Sequence, residues 1–71
     1  MLKEEKIRTL IEEELVWLEG FITKEKTNIY KNDIVEVDRR VQRLSTFYEV
    51  LEEAPDDNAI EVIKTIKEKL Q

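Results

Sequence analysis

Between Asp33 and Ala54 the apolar residues Ile34, Val37, Val41, Leu44, Tyr48 and Leu51 recur at alternating steps of three and four. That spacing lays one apolar stripe along a helix. Asp33 stands where a helix start signal belongs, and Glu36 three residues on completes a capping-box pattern. The stripe stops at Ala54-Pro55, since the residue before a proline is pushed out of helical geometry. This segment is the expected organiser of the chain, with its neighbours packing against it.

The preceding stretch, from Leu2 to Asn28, carries Ile7, Leu10, Ile11, Trp17, Leu18, Phe21 and Ile22 on one side of a helical wheel. Glu12, Glu13, Glu19 and Thr23 fall on the other. Gly20 interrupts it at a cost of about 1 kcal/mol relative to alanine. Because Phe21, Ile22 and Ile29 continue the stripe, one long helix is expected, with the glycine as the place where it can kink. The alternative ends it at Glu19 and pairs Phe21-Ile22 with Ile34-Val35-Glu36-Val37 as a short hairpin. Two acids break the pattern: Glu14 and Glu25 project into the apolar stripe. A bare carboxylate inside a core is costly, so each must reach the rim, meet another chain or find a cation. Arg39, Arg40 and Arg43 are the candidate partners.

Thr27 to Asn32 is polar and reads as the first connection. Pro55-Asp56-Asp57-Asn58 reads as the second, with either Pro55 as the first helical residue or Asn58 as a cap answered by Glu61. A third helix, Pro55–Leu70, then carries Ala59, Ile63, Ile66 and Leu70 on one face, with Ile60 and Val62 flanking. Lys64, Lys67 and Lys69 suit its C-terminus. The expected fold is all-α: one domain over residues 1–71, a three-helix antiparallel bundle of Leu2–Asn28, Ile34–Ala54 and Pro55–Leu70, able to dimerise. Its expected core is Ile7, Leu10, Ile11, Leu18, Phe21, Ile22, Val37, Val41, Leu44, Tyr48, Leu51, Ile63, Ile66 and Leu70.

Composition narrows the chemistry. The 71-residue chain has no cysteine and no histidine. It therefore lacks disulfides, thiolate nucleophiles, the common general base and the usual zinc ligand sets. Ser45, the only serine, lies mid-helix with no base near it in sequence. No glycine-rich loop is present to cradle phosphate. Asp56-Asp57-Asn58 matches only a fragment of a calcium loop and lacks its glycine and its twelfth-position glutamate. The expectation is a non-enzymatic protein without cofactor or metal. No apolar run approaches the ~20 residues of a membrane span, and the charged N-terminus lacks a signal-peptide core. A soluble, cytoplasmic protein is expected.

The net charge of −5 argues against direct binding of nucleic acid or an anionic membrane. A helix-turn-helix reading of the last two helices fails on the same ground, because the third opens with acids where base-reading residues belong. Acids are unevenly spread. No cation falls between Arg43 and Lys64, where Glu49, Glu52, Glu53, Asp56, Asp57 and Glu61 gather. None falls between Arg8 and Lys24, where Glu12, Glu13, Glu14 and Glu19 stand. Folded antiparallel, the two groups are expected to form a negative face. The expected partner site is Glu49, Glu52, Glu53, Asp56, Asp57 and Glu61, with Glu12, Glu13 and Glu19 second. It would dock a protein with a basic, nucleic-acid-binding surface and compete with its ligand as a DNA mimic does. The alternative is a self-assembly or adaptor module, binding through apolar stripes that leave Trp17, Phe21, Phe47 and Val50 partly exposed.

Overall fold

A computed structural model describes residues 3–71, so the expected start at Leu2 lies outside the described residues. Three helices follow the apolar periodicity: α1 (Lys3–Ile22), α2 (Lys31–Leu51) and α3 (Asp57–Lys69), with a single 3-10 turn at Lys26–Asn28 between the first two. No strand forms among the described residues, and the hairpin alternative gives way to helix through Phe21-Ile22 and Ile34 to Val37. The all-α three-helix bundle is the observed architecture.

The centre of the bundle differs from expectation. α1, not α2, packs against both other helices, while α2 and α3 make no comparable approach to each other. A helix held between two neighbours must bury both flanks. Phe21, Leu18, Ile11 and Leu15 therefore form a buried arc about 120° wide at 100° per residue. Leu15 enters the core for this reason, although the single-stripe reading passed it over. From α2 come Val37, Leu44 and Tyr48, and from α3 Ala59, Val62 and Ile66. Leu18 and Leu44 are fully excluded from solvent. Of the expected core, Ile7, Ile22, Val41, Leu51, Ile63 and Leu70 are half-buried against this cluster, and Leu10 is half-buried as well. The α3 face is rotated towards Val62, because α1 lies on that side and α2 does not close on the other.

Each helix end has a local cause. α1 ends at Ile22, six residues before Asn28. Continued helix would carry Glu25 and Lys26 into the apolar stripe; the chain turns instead and leaves both in solvent. Thr23 closes the end, its Oγ1 donating to the Gly20 carbonyl at 2.7 Å. α2 begins three residues early. Asp33 is not its cap but its third helical residue, and its carboxylate accepts from the Tyr30 N–H at 2.9 Å. At the other end α2 stops at Leu51 rather than Ala54, because Glu52 adopts left-handed geometry, φ 56°. The Glu53 N–H then donates to the Tyr48 carbonyl and the Glu52 N–H to that of Glu49, which is the Schellman pattern. α3 is capped by Asp56, whose carboxylate accepts from the Ala59 N–H at 2.9 Å, so neither Pro55 nor Asn58 starts it in the expected way.

Two positions are expected to gain stability on substitution. α1 runs through Gly20, where an added methyl group meets nothing within 4 Å. Gly20→Ala should raise the unfolding free energy by about 0.5–1 kcal/mol in urea titration. Glu52 holds a backbone conformation that glycine adopts without strain. Glu52→Gly should therefore also stabilise, by about 0.5–1 kcal/mol, whereas glycine at an ordinary α2 position such as Gln42 should cost that amount.

Candidate interaction surfaces

The molecule measures 41 × 20 × 16 Å. At one end, the α2–α3 turn folds against the first half of α1. Arg8, Thr9, Ile11, Glu12 and Leu15 of α1 there surround a half-open cavity of about 400 Å³ with Tyr48, Glu53, Ala54, Asp56 and Asn58. The two acidic stretches are thus brought together in part: Glu12 joins Glu53 and Asp56 at one cavity. Glu49, Glu52 and Glu53 line an adjoining depression with Ser45 and Pro55. Asp57 opens α3 and Glu61 follows one turn on, both exposed. On α1, Glu19 lies seven residues from Glu12 and hence within about 20° of it around the helix. Glu13 projects about 100° away, so it does not share that row.

Two of the acids already have structural work. Arg8 Nη2 donates to Glu53 Oε1 at 2.7 Å and to Glu4 Oε1 at 2.8 Å. The Arg8 bond holds the Glu53 carboxyl below its usual range, and Glu53 and Glu4 together keep the guanidinium protonated well beyond its ordinary value. Asp56 is the α3 cap. Glu49, Glu52, Asp57, Glu61, Glu12, Glu13 and Glu19 are exposed, and none takes part in a salt bridge among the described residues. The Tyr48 phenol, which lines the cavity, is pushed up, by burial first and by the Asp56 charge second.

On the opposite side of α1 the expected acid–arginine pairing is present. Glu14 is only 4% exposed. Arg40 Nη1 donates to its Oε2 at 3.2 Å, and Arg43 Nη2 lies 3.5 Å from its Oε1. Arg40 also donates through Nε to Glu36 at 2.9 Å, and Arg39 bonds the other oxygen of Glu36. These bonds, Arg39 first, hold the Glu36 carboxyl below its ordinary range. Glu25, the second acid of the expected stripe, is exposed and outside α1. The same arginines roof the aromatic residues. Arg40 stacks 4.5 Å over Trp17, which itself stacks on Phe21, and Arg43 lies 5.8 Å over Phe47. Of the apolar residues considered for self-assembly, Phe21 is buried, Trp17 and Phe47 are half-buried, and Val50 is exposed.

At the other end Lys24 Nζ pairs with Asp33 at 3.2 Å. The Tyr30 N–H and then Lys24 hold the Asp33 carboxyl below its usual range. Asp33, Glu36 and Glu53 thus share one sign: each binds its proton less readily folded than unfolded. Their contribution is present above the unfolded carboxylate range near pH 4 and lost as pH falls through the lower folded values. Thermal melts should show a Tm that is flat from about pH 7 to 5 and declines below about pH 4. Glu53→Gln should flatten part of that decline, and a Tm indifferent to acid would refute these pairings.

No three carboxylates among the described residues converge in a way that could hold a metal ion. No described helix is long and apolar enough to cross a membrane. The chain matches no family model, no curated protein and no solved structure.

Proposed function

We propose that this chain is a non-enzymatic, cytoplasmic protein-binding regulator that docks its acidic end on the basic surface of another protein, competing there with nucleic acid as a DNA mimic does. The observation that carries this reading is the meeting of Glu12 from α1 with Asp56 and the Arg8-paired Glu53 of the α2–α3 turn around one cavity, beside the exposed Glu49 and Glu52. Carboxylates of one sign on a rigid end sum their fields, speed encounter with a cationic partner and fix its orientation. Glu52 supports the same reading. It keeps a carboxylate at a left-handed position where glycine would be stabler.

The direct test is affinity capture from the native cell extract, comparing the wild-type chain with Glu49→Gln/Glu52→Gln/Glu61→Gln. That variant spares the Asp56 cap and the Arg8–Glu53 bridge. A docked partner should be basic, released by raising salt from about 50 to 500 mM or by adding duplex DNA, and held at least tenfold more weakly by the variant. A partner retained at high salt, or captured equally by the variant, would overturn the acidic-docking reading.

A further inference from the structure

We propose that the outer face of α3, centred on Ile60 and Ile63, pairs with the same face of a second copy of this chain in an antiparallel, two-fold arrangement. This surface goes beyond the docking end described above and shares only Asp57 with it.

The geometry begins with the position of α1. Because α1 takes α2 and α3 on separate flanks, α3 buries Ala59, Val62 and Ile66 and leaves its other apolar edge uncovered. Ile60 is 52% exposed and Ile63 half-buried. The two line a shallow groove of about 520 Å³ with Lys64, Lys67, Glu68 and Gln71. Ile34 of α2, 46% exposed, is a further uncovered aliphatic residue, on the row that continues through Val41 to Tyr48.

Charge selects the occupant. Asp57, Ile60, Lys64, Lys67 and Gln71 recur at steps of three and four, so they stand in one row along α3. The row is acidic at its N-terminal end and basic in its C-terminal half. A parallel copy would set Asp57 against Asp57 and lysine against lysine. Reversing the copy sets Asp57 opposite Lys67 and Ile60 opposite the aliphatic stem of Lys64, each twice about an axis near residue 62. The helix dipoles then oppose as well. A two-fold interface must be complementary to itself, and this row is. A stable dimer needs about 600 Å² from each partner, roughly one-ninth of this chain's 5329 Å².

Sedimentation equilibrium at concentrations from about 1 to 500 µM tests the proposal, with circular dichroism confirming that every variant is folded. The wild-type chain should reach a species of about 17 kDa, twice its 8.5 kDa, with micromolar affinity. Ile60→Glu and Lys67→Glu should each weaken association at least tenfold. Adding Asp57→Lys to Lys67→Glu should restore it to within about threefold of wild type, since the pair is exchanged rather than removed. A chain that stays monomeric throughout, a dimer indifferent to Ile60→Glu, or a charge-exchanged pair no tighter than Lys67→Glu alone would overturn it. None of these readouts depends on acidic docking, whose own test reads salt-dependent capture.

Discussion

Arg40→Ala is expected to destabilise the bundle by about 3 kcal/mol, more than Glu14→Ala and far more than Glu14→Met. The order matters more than any single value. Removing Arg40 leaves the Glu14 carboxylate, only 4% exposed, with Arg43 alone at 3.5 Å, and strips the cation from the face of Trp17. Removing Glu14 is milder, at about 1–2 kcal/mol, because Arg40 keeps Glu36 at 2.9 Å and retains its stack on Trp17. Glu14→Met replaces the buried charge with an apolar side chain of similar length, and Arg40 stays paired with Glu36. It should be neutral or stabilising by up to about 1 kcal/mol. Urea titration of the three variants gives the ranking, and a double-mutant cycle between Glu14 and Arg40 gives the coupling. If Glu14→Met proved as costly as Arg40→Ala, the pair would be a net source of stability and not merely a compensated charge.

Leu44→Ala should be the most damaging change in the core. Leu44 is fully excluded from solvent and sits in the cluster that gathers all three helices. Losing its methyl groups and leaving a cavity costs about 3–4 kcal/mol. A 71-residue domain has a total stability of about 4–11 kcal/mol, so the variant should be partly unfolded at 37 °C. Circular dichroism melts should show a broadened transition and a Tm lower by about 12 °C or more, at about 4–8 °C for each kcal/mol. The same truncation at Val50, which is exposed, should stay within about 0.5 kcal/mol of wild type. Equal effects at the two positions would mean that α2 faces the other way.

What could be read from the residues follows from the range of the forces involved. Apolar spacing is a property of each helix alone, so three helices and most of their inward residues were legible. So was the demand that Glu14 reach the rim, another chain or a cation, because the cost of a buried carboxylate can be stated before its partner is placed; that Arg40 and Arg43 meet it is shown only by the packing. Helix ends were less legible, since they turn on single bonds. Asp33 has the right chemistry for a cap but bonds backwards to Tyr30, and no glycine or asparagine marks the left-handed Glu52. The order of packing was not legible at all. Nothing in the spacing says which helix lies in the middle, and that choice buries Leu15, rotates α3 onto Val62 and uncovers Ile60. It also decides which acids meet. Glu12 reaches the turn cluster because α1 is central, while Glu13, its neighbour in sequence, points elsewhere.

The acidic end requires the first half of α1 to lie against the C-terminal end of α2 and the α2–α3 turn. Nuclear Overhauser contacts between the Tyr48 ring and the methyl groups of Ile11 and Leu15, which line one cavity, test it most directly. Strong cross-peaks from the ring to both residues are predicted. A folded, helical chain that lacked them would place Glu12 away from Glu53 and Asp56, and the acidic end would not exist.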